Sequence, residues 1–258
     1  MLDDLVKKII LKEISKEKFF KKLESIDALA DIDVRDLENL RVLGLPIYED
    51  KGELIVKTAL TPIKEQKFCI VDIEANGCKK DEHQIIEIGA VTVQNGVETD
   101  KFESFVCSDF LPDSITQLTG INMANLENAP SLGFVMEKFR LFLGESVFVA
   151  HNVNFDYNFI SATLQKLGFG PLLNRKLCSI EFAKKSIQTP KYGLSSLMEY
   201  FDVSFGEHHR ALCDARMSAY IFNECLKVLP KDIYTTEDLI SFVMPEKRRK
   251  KRSKNSYM

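Results

Sequence analysis

Asn95-Gly96 stands between two β-prone runs, Ile85 to Val93 and Val97 to Val106. An Asn-Gly pair in that setting is the strongest short signal for a tight hairpin, because both turn positions take positive φ. Upstream, Phe68, Ile70, Asp72 and Glu74 alternate along a third such run, so all four side chains share one face. The three runs predict an antiparallel meander in which two apolar residues lead to two acids at the end of the first strand. Downstream the pattern becomes helical around Ile115 to Leu118, stopped by Gly120, and again from Ser131 to Leu143. A short buried strand, Val147 to Ala150, then runs into His151-Asn152. From Phe68 onward the chain reads as α/β.

Residues 1–60 have another texture. Leu5, Val6, Ile9 and Ile10, then Phe19, Phe20 and Leu23, sit at helical spacing, and Val34, Leu37, Leu40 and Leu43 recur every three residues before Gly44. Two β-prone runs around Asp50-Lys51-Gly52 follow, which reads as a hairpin. Helices followed by a hairpin resemble a winged helix-turn-helix. Asp33, Asp36 and Glu38 outnumber Arg35 and Arg41 on its third helix, a poor match for phosphate, so this unit is expected to dock a protein partner, a polymerase among the candidates. Residues 61–67 are polar with one Pro and read as a linker, residues 68–245 as the main domain and 246–258 as a disordered basic tail.

With 258 residues and 45% apolar content, the chain can bury a substantial core. Its longest apolar runs fall far short of the roughly 20 residues that span a bilayer. The first ten residues lack the apolar stretch of a secretory leader, so a cytoplasmic location without membrane contact is expected. Six scattered cysteines, none in a Cys-x-x-Cys pair, read as reduced thiols. The tail from Glu246 carries seven Lys/Arg against one Glu, a net +6, leaving −9 on the rest of a chain whose total is −3. An acidic body is what carboxylates awaiting cations would give. The tail could attract nucleic acid at low salt, or simply be solvated.

The chemistry-bearing residues fall in three short segments: Asp72 with Glu74, Asp156 in His151-Asn-Val-Asn-Phe-Asp156, and His209 with Asp214. An acid pair ending an apolar strand is costly unless a cation is bound. It could also be a solvated strand end. Asp156 precedes Ile160, Leu164 and Leu167 on a helix stripe, which places it on the core-facing side of the first turn, where an acid also suits the macrodipole. Leu212, Ala215, Ala219, Phe222 and Leu226 predict a helix from about Ala211, with Asp214 in its first turn and His209 just before it. His209 could swing over a metal site or merely cap the helix. His208 and His83 are read as surface residues, and Glu87, inside a strand, as structural. Together the acids suit Mg²⁺ or Mn²⁺, and imidazole titrates near neutrality, a combination that points to phosphodiester hydrolysis.

These segments carry a resemblance. Asp72-Ile-Glu74, His151-Asn-x-x-Phe-Asp156 and His209-x-Ala-x-x-Asp214 resemble, in order and spacing, the three motifs of the DEDDh branch of the DnaQ-like 3′–5′ exonucleases, the family of the proofreading epsilon subunit of bacterial DNA polymerase III. Ile86-Glu-Ile-Gly-Ala-Val91, Leu118-Thr-Gly-Ile121 and Tyr192-Gly-Leu-Ser-Ser-Leu197 are similar as well. Arg210 stands where the tyrosine branch would place its Tyr, which favours the histidine branch. The resemblance implies an RNase H-like fold, a mixed five-stranded sheet flanked by helices. It implies two divalent ions held by Asp72, Glu74, Asp156 and Asp214, with His209 as general base. It also places Ile73, Leu118, Gly120, Ile121, Asn152 and Phe155 against the 3′ nucleotide. Ala75-Asn76 replaces a Thr-Thr common in relatives, and Cys178 replaces an Asp outside the metal site.

The expected function is removal of nucleoside 5′-monophosphates from 3′ ends, of single-stranded DNA foremost, in proofreading or repair. An exoribonuclease or oligoribonuclease keeps the same site chemistry. A non-catalytic nucleic-acid-binding or partner-binding module is the reading from a different class, and the intact acids and histidine argue against it.

Overall fold

A computed structural model describes residues 2–203 and 209–244. His208 and the basic run 247–254 lie outside the described residues.

The N-terminal elements are α1 (Leu2–Ile10), α2 (Lys16–Glu24), α3 (Leu37–Val42), β1 (Ile47–Asp50) and β2 (Glu53–Val56). α3 starts later than its apolar repeat because the Asp36 side chain accepts from the Glu38 N–H and caps it there. Lys51 and Gly52, both at positive φ, close an antiparallel hairpin in which Ile47 pairs with Val56. Arg35 is tied to Glu17 and Glu24, and Arg41 to Glu38, so both arginines around the third helix are paired with acids. Its core, built on Phe19, Phe20, Leu23 and Leu40, closes over Leu173 from much later in the chain.

Residues 61–67 are held in place. The Ile63 N–H donates to the Tyr234 carbonyl and the Thr236 N–H to the Thr61 carbonyl, so the segment is pinned to the far end of the chain.

The main sheet comprises β3 (Phe68–Ala75), β4 (Ile85–Gln94), β5 (Val97–Phe105), β6 (Val147–Ala150) and β7 (Lys176–Cys178), in the order β5-β4-β3-β6-β7. The first three strands are the antiparallel meander, with Asn95 and Gly96 at positive φ in its turn. β6 and β7 add in parallel, each reached through a helical crossover. The connecting and flanking helices are α4 (Asp113–Thr119), α5 (Met123–Leu126), α6 (Leu132–Leu143), α7 (Val153–Lys166), α8 (Ser179–Ser186), α9 (Leu194–Tyr200), α10 (Ala211–Lys227) and α11 (Thr236–Val243). This is the mixed five-stranded sheet flanked by helices.

Strand alternation assigns the two cores. Phe68 and Ile70 point toward α10 and bury against Leu212, Met217 and Phe222. Cys69, Val71 and Ile73 point the other way, to Phe139 of α6 and Ile160 and Leu164 of α7. Asp72 and Glu74 continue the α10 face past the point where its apolar contacts end. The fold thus places the acid pair under the start of α10, beside the start of α7.

Candidate active site

Three elements bring the four acids to the site. Asp72 and Glu74 come from the end of β3, Asp156 from the first turn of α7 and Asp214 from the first turn of α10. The Asp156 carboxylate accepts from the Ile73 N–H at 3.3 Å, which couples α7 to the strand between the two β3 acids. One carboxylate oxygen from each of Glu74 and Asp214 and one ring nitrogen of His209 lie within 4.8 Å of one another. His209 is exposed and sits at φ 61° immediately before the helix.

A glycine makes this approach possible. Gly89 of β4 lies opposite Asp72, and a Cβ there would stand 2.1 Å from the Leu212 nitrogen and 2.3 Å from the Ala211 carbonyl carbon. The missing side chain is the space into which the start of α10 fits. Gly89→Ala is therefore expected to cost about 1–3 kcal/mol by overpacking. Displacing Asp214 and His209 from the β3 acids should also cut turnover by roughly tenfold to a hundredfold. Thermal melts with parallel rate measurements check both effects.

The electrostatics show a site short of positive charge. Burial, followed by the charges of Asp156, Asp214, Glu74 and Glu87, raises the Asp72 carboxyl well above the usual range. Burial also raises Glu74 to about 7, reinforced by Asp214, Glu87 and Asp156 and opposed by Arg210. Asp156 is pushed up to about 7 by burial, against the hydrogen bonds from its own N–H and that of Ile73. Crowded carboxylates that resist ionisation, offering oxygen donors with one imidazole beside them, fit a hard divalent cation.

Cation binding at this cluster must displace protons that the raised carboxyls retain near neutrality. Titration with Mn²⁺ at pH 6 is expected to release roughly one to two protons per protein, falling toward zero well above pH 7. Calorimetry in buffers of different ionisation enthalpy reads this number, and a count near zero at pH 6 would contradict the assignment.

Two other motif residues prove to be organisers. His151 is half-buried, its pKa pushed down to about 4 by desolvation, so the ring is neutral. Its Nε2 lies 3.0 Å from the Tyr192 carbonyl and its Nδ1 2.9 Å from the Ser179 hydroxyl, an arrangement satisfied by Nε2–H donating and Nδ1 accepting. It thereby joins the end of β6 to α8 and to the loop before α9. Asn76 is buried, accepts from the Gln84 N–H at 2.8 Å and donates to the Phe110 carbonyl at 3.1 Å. The residue in the variant Ala75-Asn76 pair thus fixes the loop that presents Phe110, itself 60% exposed.

The remaining candidate positions separate into two groups. Leu118, Asn152 and Phe155 are exposed, and Gly120 ends α4 in the left-handed conformation with φ 71°. Ile121 is buried against Ile86 and Leu126, and the Ile73 side chain belongs to the α7-side core, so these two offer backbone and support rather than open side chains. Cys178 ends β7.

A five-stranded mixed sheet with this connectivity, carrying a carboxylate cluster at the end of its central strand, defines a nuclease of RNase H-like architecture. Residues 69–222 match the RNase T family model, described as an exonuclease, and the chain belongs to that family. The DNA polymerase III PolC-type proteins of Staphylococcus aureus (strain bovine RF122 / ET3-1) and Staphylococcus epidermidis (strain ATCC 12228 / FDA PCI 1200) are 34% and 36% identical over 178 and 185 residues. Each alignment takes in 68% of this chain, but only 12% and 13% of those polymerases. Among solved structures, exonuclease X in complex with 5′ overhanging duplex DNA superposes with a TM-score of 0.55 at 20% identity, over 69% of this chain and 99% of that one. E. coli exonuclease I in complex with a dA16 oligonucleotide gives 0.59 at 13% identity, over 65% and 42% of the two chains. At those identities the structures establish the shared fold. Among the described residues, no helix is long and apolar enough to cross a membrane.

Proposed function

We propose that this exonuclease works in the 3′–5′ direction on DNA, removing nucleoside 5′-monophosphates by metal-dependent hydrolysis in proofreading or repair. The observation that carries the reading is the cluster of four carboxylates, three of them with raised pKa values, gathered beside His209. The alignment with PolC-type polymerases favours DNA as substrate.

Asp72, Glu74, Asp156 and Asp214 would hold two Mg²⁺ or Mn²⁺ ions. When bound, such a pair supplies charge stabilisation to the attacking and leaving oxygens of an in-line displacement. His209, exposed at the rim, takes the proton of the attacking water. The water oxygen bonds to the terminal phosphorus, and the bond from phosphorus to the 3′ oxygen breaks. A 3′-hydroxyl is left on the shortened strand and a 5′-monophosphate departs. Leu118 and Phe155 offer apolar faces for the terminal base, with Gly120 and Asn152 beside them, while Ile121 and Ile73 support those contacts from beneath.

The products test this directly. Digestion of DNA and RNA of equal sequence in ¹⁸O-water with Mg²⁺ is expected to yield 5′-monophosphates carrying one solvent oxygen, faster from DNA. Faster release from RNA would move the substrate assignment, and 3′-monophosphates would overturn the mechanism.

A further inference from the structure

Arg210, the residue between the general base and α10, is gripped from two sides. Its guanidinium donates from Nη2 to Glu87 Oε1 at 2.9 Å and from Nε to the same oxygen at 3.1 Å. Its outer face lies over Phe105 at the end of β5, with the guanidinium carbon 5.1 Å from the ring centroid. The other Glu87 oxygen, Oε2, accepts from the Ala211 N–H at 3.1 Å. Glu87 is 1% exposed on β4, opposite Glu74, so its carboxylate is a fixed post. One buried acid therefore holds the side chain of the N-cap residue and the first N–H of α10.

The main chain on either side shows what the grip controls. The Arg210 carbonyl accepts from the Asp214 N–H at 2.9 Å, the first hydrogen bond of the helix. His209, one residue earlier, is left-handed at φ 61°, a conformation uncommon for a non-glycine residue. Its side chain is exposed, so packing does not fix the imidazole.

We infer that Glu87 and Arg210 are positioning residues for His209: their ion pair holds residue 209 in its left-handed conformation and aims the imidazole at the carboxylate cluster. This rests on the reading of His209 as the general base. Asp214, seated independently by the packing of α10 into the space over Gly89, keeps its place without the ion pair.

The test is a double-variant cycle, with single-stranded DNA as substrate and saturating Mg²⁺. Arg210→Met is expected to lower kcat by roughly tenfold to a hundredfold, leaving KM and the dissociation constant for Mn²⁺ within about twofold. Arg210→Lys should recover part of the loss, since it restores the charge without the fork. Glu87→Gln, which keeps an acceptor for Ala211, should fall between Arg210→Met and wild type and guards against loss of fold in the more drastic variant. In a His209→Ala background, Arg210→Met should add less than a twofold effect. An equal loss in both backgrounds, a weakened Mn²⁺ affinity, or an unchanged kcat for Arg210→Met would overturn the inference while leaving the nuclease reading intact. An unchanged rate for His209→Ala would overturn both.

Discussion

Asp156→Asn is expected to reduce turnover by at least about a thousandfold and, in the absence of metal, to make the protein more stable. The first effect follows from removing a charged oxygen donor from a site whose proposed chemistry is stabilisation of developing charge, where loss of one well-placed group costs 10² to 10³ and loss of an ion costs more. The second follows from the same carboxyl in its apo state. Asp156 is buried and its pKa is raised to about 7, so the folded protein retains a proton that the unfolded chain releases near 3.9. Between those values stability falls as pH rises, because the native state binds more protons. Below pH 4 the effect is absent, and above pH 7 it is complete. Asparagine keeps the shape and an acceptor for the Ile73 N–H without that penalty. Melting in EDTA should show the variant roughly 4–8 °C above wild type at pH 8, with the gap closing toward pH 4. Added Mn²⁺ should reverse the order, stabilising the wild type alone. A variant less stable than wild type in EDTA at pH 8 would mean that the carboxyl is held by favourable contacts instead.

Arg175→Met carries the largest expected loss of stability. Arg175 is 2% exposed; its Nε and Nη2 donate to the two Glu237 oxygens at 2.7 and 2.9 Å, and Nη1 pairs with Asp3. Glu237 also accepts from the Thr58 hydroxyl at 2.8 Å. One guanidinium thus joins the approach to β7 to α11 and α1. A methionine fills much of the volume but strands a buried carboxylate, a change worth about 3–5 kcal/mol. A fall of roughly 10 °C in melting temperature follows. Arg175→Met with Glu237→Gln should recover part of it, because the orphaned charge goes too. The residual folded protein should keep its turnover, since this network stands apart from the acid cluster. A melting temperature within about 2 °C of wild type would show that the network contributes little.

The legible parts of this fold are those written in local pattern. Alternation and Asn95-Gly96 define the β3-β4-β5 meander, and the stripe from Leu212 to Leu226 defines α10 with its start at Ala211. β7 was not legible: three residues, Lys176–Cys178, are too few for a period and pair only because β6 lies beside them. The pinning of residues 61–67 was hidden for a related reason, since its partners lie at the other end of the chain. The candidate acids could be named from the sequence because each sits at a strand or helix end with apolar neighbours that set its face. Glu87 read only as a structural acid, and its partner is 123 residues away, beyond any local signal. His151 likewise shows its role only when Ser179 and Tyr192 are brought to its two nitrogens.

The central claim is that the cluster of Asp72, Glu74, Asp156, Asp214 and His209 cuts from the 3′ end with a divalent ion. The most direct measurement is a time course on 5′-labelled single-stranded DNA with Mg²⁺, with EDTA, and with Asp72→Asn in place of wild type. The account predicts a ladder that shortens one nucleotide at a time in Mg²⁺ and stops in EDTA, and an uncut strand with the variant. Early release of the labelled terminal nucleotide, or cleavage that persists in EDTA or in Asp72→Asn, would contradict it.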